Sequence, residues 1–194
     1  RKPLCAAEYL ALRQRVENAG LEPWMTEYLC RLSELESRRP PIGGELDRLA
    51  EVRAYREDVA RLSLAAVAAI ALDAACLEDG LRATHCDGDV AALFGMAMQC
   101  QIIDDVVDYR ADLTAGLPSF LTGSASLPDA LTLTARAARA YVASRGGSTR
   151  GIAFPLHVAL LALTAVTKLV VGAARIGQAC QRSRAHSGAG AEQS

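Results

Sequence analysis

The 194-residue chain is predicted to be an all-α protein, and three observations support this class. Hydrophobic residues make up 51% of the chain but aromatic residues only 5%, and alanine and leucine dominate the apolar set. Long stretches lack both glycine and proline, and runs of β-branched residues are short. Because alanine and leucine favour helices, this composition predicts helices throughout. The length is sufficient for one domain, or a large part of one, with a substantial core.

Glycine and proline divide the first half of the chain into predicted helices. Residues 5–19 form the first helix, which ends at Gly20, and residues 22–38 form the second, which ends before Pro40. Residues 45–79 contain neither glycine nor proline, so we expect one long helix or two nearly continuous ones. The first half of this stretch is charged and the second is apolar, which indicates a helix that enters the fold from an exposed end. Residues 80–88 are predicted to be a loop.

The second half of the chain is divided in the same way. Asp87 or Asp89 is predicted to cap a helix that runs to about Leu113. Residues 116–128 are irregular, residues 129–144 form a short helix, and residues 152–182 form the last long helix. We therefore place a helical domain at residues 1–182. Residues 183–194 are rich in serine, alanine and glycine and are expected to be a disordered tail.

The most informative motif is a row of aspartates four residues apart. Asp104, Asp108 and Asp112 fall on one helix face about 80° wide, with Gln101 and Asp105 on or near it. Like charges at this spacing destabilise a helix by roughly 0.2–0.5 kcal/mol per pair, and a bound cation would remove that cost. The opposite face is the apolar stripe of a helix packed on a core, and it consists of Ile102, Val106, Tyr109 and Leu113.

A row of carboxylates suits a magnesium ion. Mg²⁺ typically takes one or two carboxylates and completes its octahedron with water and substrate phosphate oxygens. A row of this kind can therefore hold ions beside a diphosphate and offset the charge of that leaving group.

Two segments around the row resemble a known family. The stretch from Gly95 to Asp108 resembles the second aspartate-rich motif of trans-isoprenyl diphosphate synthases, written GxxxQ…DDxxD. Residues 112–119, with the sequence DLTAGLPS, resemble the DLxxGKxT segment that follows that motif. The same aspartates also fit the acidic triad of class I terpene cyclases and the spaced acidic positions of squalene and phytoene synthases. All belong to the class I isoprenoid synthase superfamily.

This resemblance implies a bundle of antiparallel helices around an apolar cavity, with two acidic motifs that hold Mg²⁺ on a prenyl diphosphate. Asp104 and Asp108 would be the principal, catalytic ligands, and Asp105 and Asp112 would complete the cluster directly or through water. Loss of diphosphate from an allylic substrate would leave a cation. A second prenyl unit or the substrate's own double bonds would then capture it.

Three departures from the family pattern limit the match. Leu117 stands where the family has a lysine that meets a diphosphate. Gln99 has the expected distance from Gly95, whereas Gln101, which we take as substrate-binding, has the expected distance from Asp104. The first acidic motif would fall before Arg1, so we expect either the later part of the full fold or a protein that lacks half of the metal site.

Four basic residues are candidates for diphosphate contacts. Lys168 and Arg175 lie on one side of the last helix, where they form either a narrow solvated stripe or a cationic clamp. Arg56 and Arg61 precede the motif by about 45 residues, near where a terpene cyclase carries a diphosphate-sensing arginine. Alternatively, Arg56 and Arg61 are simply solvated side chains at the exposed end of a helix and contact no diphosphate.

Composition excludes several other classes. A net charge of −1 gives no indication of a nucleic-acid partner. Six cysteines without a CxxC pair are expected to be reduced, buried residues of a cytoplasmic protein. The apolar segment 62–76 is shorter than the roughly 20 residues of a span, and the segment 151–174 is interrupted by Pro155, His157 and Lys168, so we expect no membrane span.

The predicted function is therefore a Mg²⁺-dependent prenyl transferase or terpene cyclase, acting as a homodimer or with another synthase chain. One alternative is a non-catalytic helical subunit that binds a complete synthase. The other is a membrane-embedded prenyltransferase with acidic motifs on its helices.

Overall fold

The computed structural model describes residues 6–42, 48–71, 76–124, 126–143 and 152–189. These residues form eight helices and no strand, which confirms the all-α class. The helices are α1 (Ala6–Asn18), α2 (Glu22–Ser37), α3 (Leu49–Ala71), α4 (Leu77–Cys86), α5 (Gly88–Val107), α6 (Tyr109–Ala115), α7 (Leu127–Ala143) and α8 (Phe154–Ala189).

The boundaries of α1 and α2 follow the predicted signals. Gly20 adopts a positive φ of 67°, which glycine tolerates without strain, and the chain turns there from α1 into α2. Pro23 lies in the first turn of α2, where a missing N–H costs nothing. The helix ends at Ser37, close to Pro40.

The predicted loop at residues 80–88 is wrong, because residues 77–86 form α4. Gly80 is a contact residue within this helix, not a helix breaker. A Cβ atom on Gly80 would lie 2.0 Å from the carbonyl oxygen of Ala65, so glycine lets α4 approach the backbone of α3. The long helix predicted at residues 45–79 includes α3, whereas residues 43–47 and 72–75 lie outside the described residues.

Asp87 caps α5, as predicted. Its carboxylate accepts hydrogen bonds from the backbone N–H groups of Asp89 at 2.8 Å and Val90 at 3.0 Å. Gly116, four residues after Asp112, has a φ of 68° and ends α6. The last helix continues to Ala189, past the boundary that we predicted at residue 182.

Four contacts show how the central helices are arranged. Arg56 meets Asp105 and Arg61 meets the Phe94 ring, so α3 runs antiparallel to α5. The N–H group of Ala153 donates to Asp89 at 2.7 Å, so α8 starts beside the start of α5. The side chain of Gln99 donates to the backbone oxygen of Ala138 on α7 at 2.9 Å.

Two apolar clusters hold these helices together. The main one joins α3, α5, α7 and α8 with the segment after α6, and its members include Met98, Ile102, Phe120, Leu131, Tyr141 and Val171. The second joins α2, α3 and α4 through Leu62, Ala65 and Leu77, with Trp24 and Tyr28 packed against them. The aspartate row therefore starts next to the main core, which contains Ile102, and its first two carboxylates, Asp104 and Asp108, are exposed to solvent.

Several surface features differ from expectation. The five cysteines within the described residues are free but exposed, so the prediction that they are buried is wrong. Leu113, predicted to belong to the packed stripe, is 53% exposed. Two helices, Gly88–Val107 and Phe154–Cys180, are long and apolar enough to cross a membrane by length and composition alone.

Candidate functional site

The predicted acidic row forms two consecutive turns at the junction of α5 and α6. The N–H group of Asp108 donates to the backbone oxygen of Asp104 at 2.8 Å, and that of Asp112 donates to Asp108 at 2.9 Å. The helical bonding is thus retained across the break, where Asp108 has a φ of −96° and a ψ of 11°. Asp104 and Asp108 are exposed, and Asp112 is half-buried. The structure therefore brings the three carboxylates together on one side.

Asp105 faces the interior and not the acidic side. Its side chain is 1% exposed, it forms an ion pair with Arg56, and its second oxygen accepts a hydrogen bond from the N–H group of Phe120 at 2.6 Å. Burial raises the pKa of Asp105 to about 6, although Arg56 and the Phe120 N–H act against that rise. Asp105 is therefore a structural anchor as the molecule stands, and its role as a metal ligand remains a prediction.

Burial and like charges also affect Asp112. Burial raises the pKa of Asp112, and the negative charges of Asp104 and Asp108 add to this effect, while Arg56 and a hydrogen bond from Ser119 oppose it. Three carboxylates close enough to influence one another are an arrangement that a cation would stabilise.

The segment after α6 supplies contacts that the sequence did not reveal. Ser119 and Phe120 are fully buried, and the hydroxyl of Thr122 holds the turn by accepting from the Ser119 N–H at 2.7 Å and donating to the Leu117 oxygen at 2.8 Å. This turn aims the Phe120 N–H at Asp105. The signal in the sequence was the DLxxG pattern, in which Gly116 ends the helix and the residues after it fold back.

Gln101 and Gln99 differ in position. Gln99 is fully buried and binds α7, so it has a packing role. Gln101 is half-buried, and its side-chain oxygen is buried without a hydrogen-bond partner among the described residues. Gln101 therefore has an unused hydrogen-bond acceptor among the described residues, on the helical turn that precedes Asp104.

Arg56 and Arg61 have different surroundings although both lie on α3. Arg56 is 24% exposed at its side chain, joins Asp105, and is close enough to Asp112 to lower its pKa. Arg61 pairs with Glu57 at 3.0 Å and lies over the Phe94 ring at 4.7 Å. The structure thus places Arg56 at the buried Asp105, within electrostatic reach of Asp112, and places Arg61 in a separate cluster.

That separate cluster lies between α3 and α7 and is partly buried. The hydroxyl of Tyr141 donates to Glu57 at 2.9 Å, and Arg53 binds the same carboxylate at 2.7 Å while it lies over the Tyr141 ring at 5.1 Å. Burial alone would raise the pKa of Glu57, but Arg53, Tyr141 and Arg61 hold it below its ordinary value. We did not predict this network, because Tyr141 is 84 residues away from Glu57 in the sequence.

Lys168 and Arg175 are exposed and do not meet the acidic row directly. They line a cleft of about 190 Å³ between α7 and α8 with a third cation, Arg139, which we did not predict. A larger cleft of about 510 Å³ lies between α3 and α7, and its lining includes Phe120, Leu133 and Arg53. Phe120 connects that apolar cleft with Asp105.

The donor set fits a magnesium ion only in part. In the part of the chain that the structure describes, no group of three or more His, Cys, Asp or Glu side chains is arranged to hold a metal ion. Asp104 and Asp108 nevertheless offer two exposed carboxylates one turn apart, which is the number that Mg²⁺ typically takes when substrate oxygens and water complete its shell.

Comparison of the chain with known protein families, curated proteins and solved structures gave no significant match. The resemblance to isoprenoid synthases therefore remains a prediction from the motif.

Proposed function

We propose that the side of α5–α6 formed by Asp104, Asp108 and Asp112 binds the diphosphate of an allylic prenyl substrate together with Mg²⁺. The stacking of these three residues on consecutive turns, through the backbone bonds from Asp108 to Asp104 and from Asp112 to Asp108, carries the proposal. It is supported by Arg56, whose guanidinium pairs with the neighbouring buried Asp105 and whose positive charge also acts on Asp112.

Each residue has a specific task in this proposal. Asp104 and Asp108 hold the ion, and Asp112, fixed by Ser119, orients the end of the row. Arg56 binds diphosphate oxygen with the part of its side chain that Asp105 leaves free. When bound, Mg²⁺ offsets the negative charge that builds up on the departing diphosphate.

The reaction class is the ionisation of a carbon–oxygen bond. The bond between the allylic carbon and the diphosphate oxygen breaks, and the electron pair leaves with diphosphate. The carbon skeleton becomes an allylic cation, which is captured by a second prenyl unit or by its own double bonds. Transferase and cyclase activities thus share the same first step.

Release of diphosphate from geranyl, farnesyl and geranylgeranyl diphosphate, with and without Mg²⁺, tests this function. Asp104→Asn and Asp108→Asn should each lower the rate by at least about a hundredfold, because each removes a ligand charge from the leaving-group site. Glu34→Gln, which removes an exposed carboxylate on α2, is the matched control and should leave the rate unchanged. Mg²⁺-independent release, or equal losses in the control, would overturn the proposal.

A second candidate function is a non-catalytic subunit that binds a complete prenyl synthase. It is favoured by the apolar side chains that α8 exposes, among them Leu169 at 73% and Ile176 at 67%. Tight binding to a separate active synthase, together with absence of diphosphate release by this chain, would support this function over the enzymatic one.

A further inference from the structure

The outward side of α8 is apolar. Six large side chains on it are exposed, namely Phe154, Val158, Leu161, Val166, Leu169 and Ile176. At about 100° per residue they cover a sector about 140° wide, directly opposite the buried Leu160 and Val171. We call this sector the outer face of α8.

The buried side of α8 includes two polar residues beside the apolar Leu160 and Val171. Thr164 and Thr167 are buried, and their hydroxyls donate to the backbone oxygens of Leu160 and Leu163 at 2.7 and 2.9 Å. The remaining positions of residues 154–176 within the sector are Pro155, Ala162, Ala165, Gly172 and Ala173. An exposed apolar patch of this extent typically marks an interaction surface.

Positive charge borders the outer face. Lys168 and Arg175 are exposed at one edge, and Arg139 on α7 faces them across the cleft of about 190 Å³. Among the described residues, none of these three cations forms an ion pair. The sequence of α8 contains no acidic residue at all, and that of α7 contains only Asp129.

This distribution of charge discriminates between possible partners. A second copy of α8 would bring cations toward cations, without an acidic residue on that helix to pair with them. A bilayer with anionic headgroups satisfies both features, because apolar side chains enter the acyl boundary while lysine and arginine reach the headgroups.

We propose that α8 docks on the surface of an anionic lipid bilayer, with its outer face inserted and with Lys168 and Arg175 at the headgroups. The helix lies in the plane of the interface and does not span the membrane. Its opposite side is packed in the main core through Val171, and Lys168 sits near the middle of its apolar segment. This inference is independent of the proposed enzymatic function, and it assigns to a lipid surface the face of α8 that the second candidate function would assign to a synthase.

Flotation of the purified protein with vesicles tests the proposal. Vesicles of phosphatidylcholine and phosphatidylglycerol should bind the protein, vesicles of phosphatidylcholine alone should bind it weakly, and high salt should reduce binding. The double variant Lys168→Gln/Arg175→Gln should bind about thirtyfold more weakly, since each cation near an anionic surface contributes roughly fivefold. Arg15→Gln/Arg38→Gln removes two exposed cations elsewhere and should bind as the wild type does.

The apolar contribution is tested separately with Leu169→Gln/Ile176→Gln. This variant should lose at least about tenfold in binding to both kinds of vesicle, because inserted apolar area no longer contributes. Leu29→Gln/Val67→Gln, at positions 52% and 63% exposed on α2 and α3, is the matched control. Circular dichroism verifies that all variants remain helical.

Three outcomes would overturn the proposal. One is the absence of flotation with anionic vesicles, and another is equal loss in the control variants. The third is self-association, detected by light scattering, that is abolished by Leu169→Gln/Ile176→Gln while vesicle binding is not. That result would assign the outer face to a second copy.

Discussion

The guanidinium of Arg56 on α3 forms an ion pair with the carboxylate of Asp105 on α5. This partly buried pair connects the aspartate-rich end of α5 to α3. The other oxygen of the Asp105 carboxylate accepts a hydrogen bond from the backbone N–H group of Phe120, with an N···O distance of 2.6 Å. One buried side chain thereby joins α3, α5 and the turn after α6.

Removing the Asp105 side chain should destabilise the fold strongly. Asp105→Ala leaves the Phe120 N–H buried without an acceptor and Arg56 without its partner, so the free energy of unfolding should fall by about 2–4 kcal/mol. Asp105→Asn keeps an acceptor for Phe120 and should lose about 1 kcal/mol or less. Urea denaturation at neutral pH measures both, and equal losses would contradict the assigned geometry.

The same carboxyl predicts a pH dependence. The pKa of Asp105 is raised to about 6 in the folded protein, so between pH 4 and pH 6 the native state binds a proton that the unfolded chain does not. The free energy of unfolding should therefore rise by up to about 2–3 kcal/mol as the pH falls from 7 to 4. The raised pKa of Asp112 acts in the same direction. Denaturation curves at several pH values should show a flatter profile for Asp105→Asn, and an unchanged profile would refute the prediction.

The buried hydroxyl of Tyr141 should contribute to stability through Glu57. Tyr141→Phe keeps the edge-to-face contact with Phe94, at 6.1 Å between ring centroids, but removes the 2.9 Å bond to the carboxylate. The free energy of unfolding should fall by about 1–2 kcal/mol, which is typical for the loss of a hydrogen bond to a charged group. The pKa of Glu57 is lowered in the folded protein, so its ionised carboxylate stabilises the fold at pH values above the ordinary pKa of glutamate. This stabilisation is lost as the pH falls, and the loss should be smaller in Tyr141→Phe. Tyr28→Phe, which removes a 3.2 Å bond to Ser63, is the control with a smaller expected effect.

Two glycines should respond oppositely to alanine. Gly80→Ala places a Cβ atom 2.0 Å from the Ala65 oxygen, forces α3 and α4 apart, and should cost about 2–3 kcal/mol. Gly177 on α8 has no atom within 4 Å of such a Cβ, so Gly177→Ala should stabilise the protein by about 0.5–1 kcal/mol through helix propensity. Thermal unfolding distinguishes the two, and a similar loss at both positions would exclude the close contact between α3 and α4.

The acidic row should make stability depend on Mg²⁺. Without the ion, Asp108→Asn should raise the free energy of unfolding by about 0.5 kcal/mol, because it removes repulsion with Asp104 and Asp112. With Mg²⁺ the wild type should gain more stability than the variant, since an ion that binds the native state stabilises it by mass action. Chemical denaturation at increasing Mg²⁺ measures this, and an equal response in both proteins would exclude the ion from this row.

The sequence predicted the helices better than it predicted their contacts. Composition predicted the all-α class, and the positions of glycine and proline predicted most helix ends, because helix ends depend on neighbouring residues. The loop predicted at residues 80–88 was wrong because glycine has two roles: it often ends a helix, but it also permits close packing of two helices, as Gly80 does here. That distinction depends on Ala65, which the local pattern does not contain.

The candidate site shows the same limit. The spacing of four predicted that Asp104, Asp108 and Asp112 share a side, and the backbone bonds between them agree. The burial of Asp105 was not predictable, because its partner Arg56 is 49 residues away and Phe120 acts through its backbone. Arg139 was missed for a similar reason, since only the packing of α7 on α8 brings it to Lys168 and Arg175.

The hydrogen bond between Glu57 and Tyr141 also bears on the order in which the chain assembles. It closes a loop of 84 residues, and the Arg56–Asp105 pair closes one of 49. Such distant contacts form only after a large entropic cost of loop closure, whereas turns such as the Asp87 cap form within a few residues. The acidic helix can thus appear early as a local structure, but the geometry of its carboxylates is reached only when α3, α5 and α7 have come together.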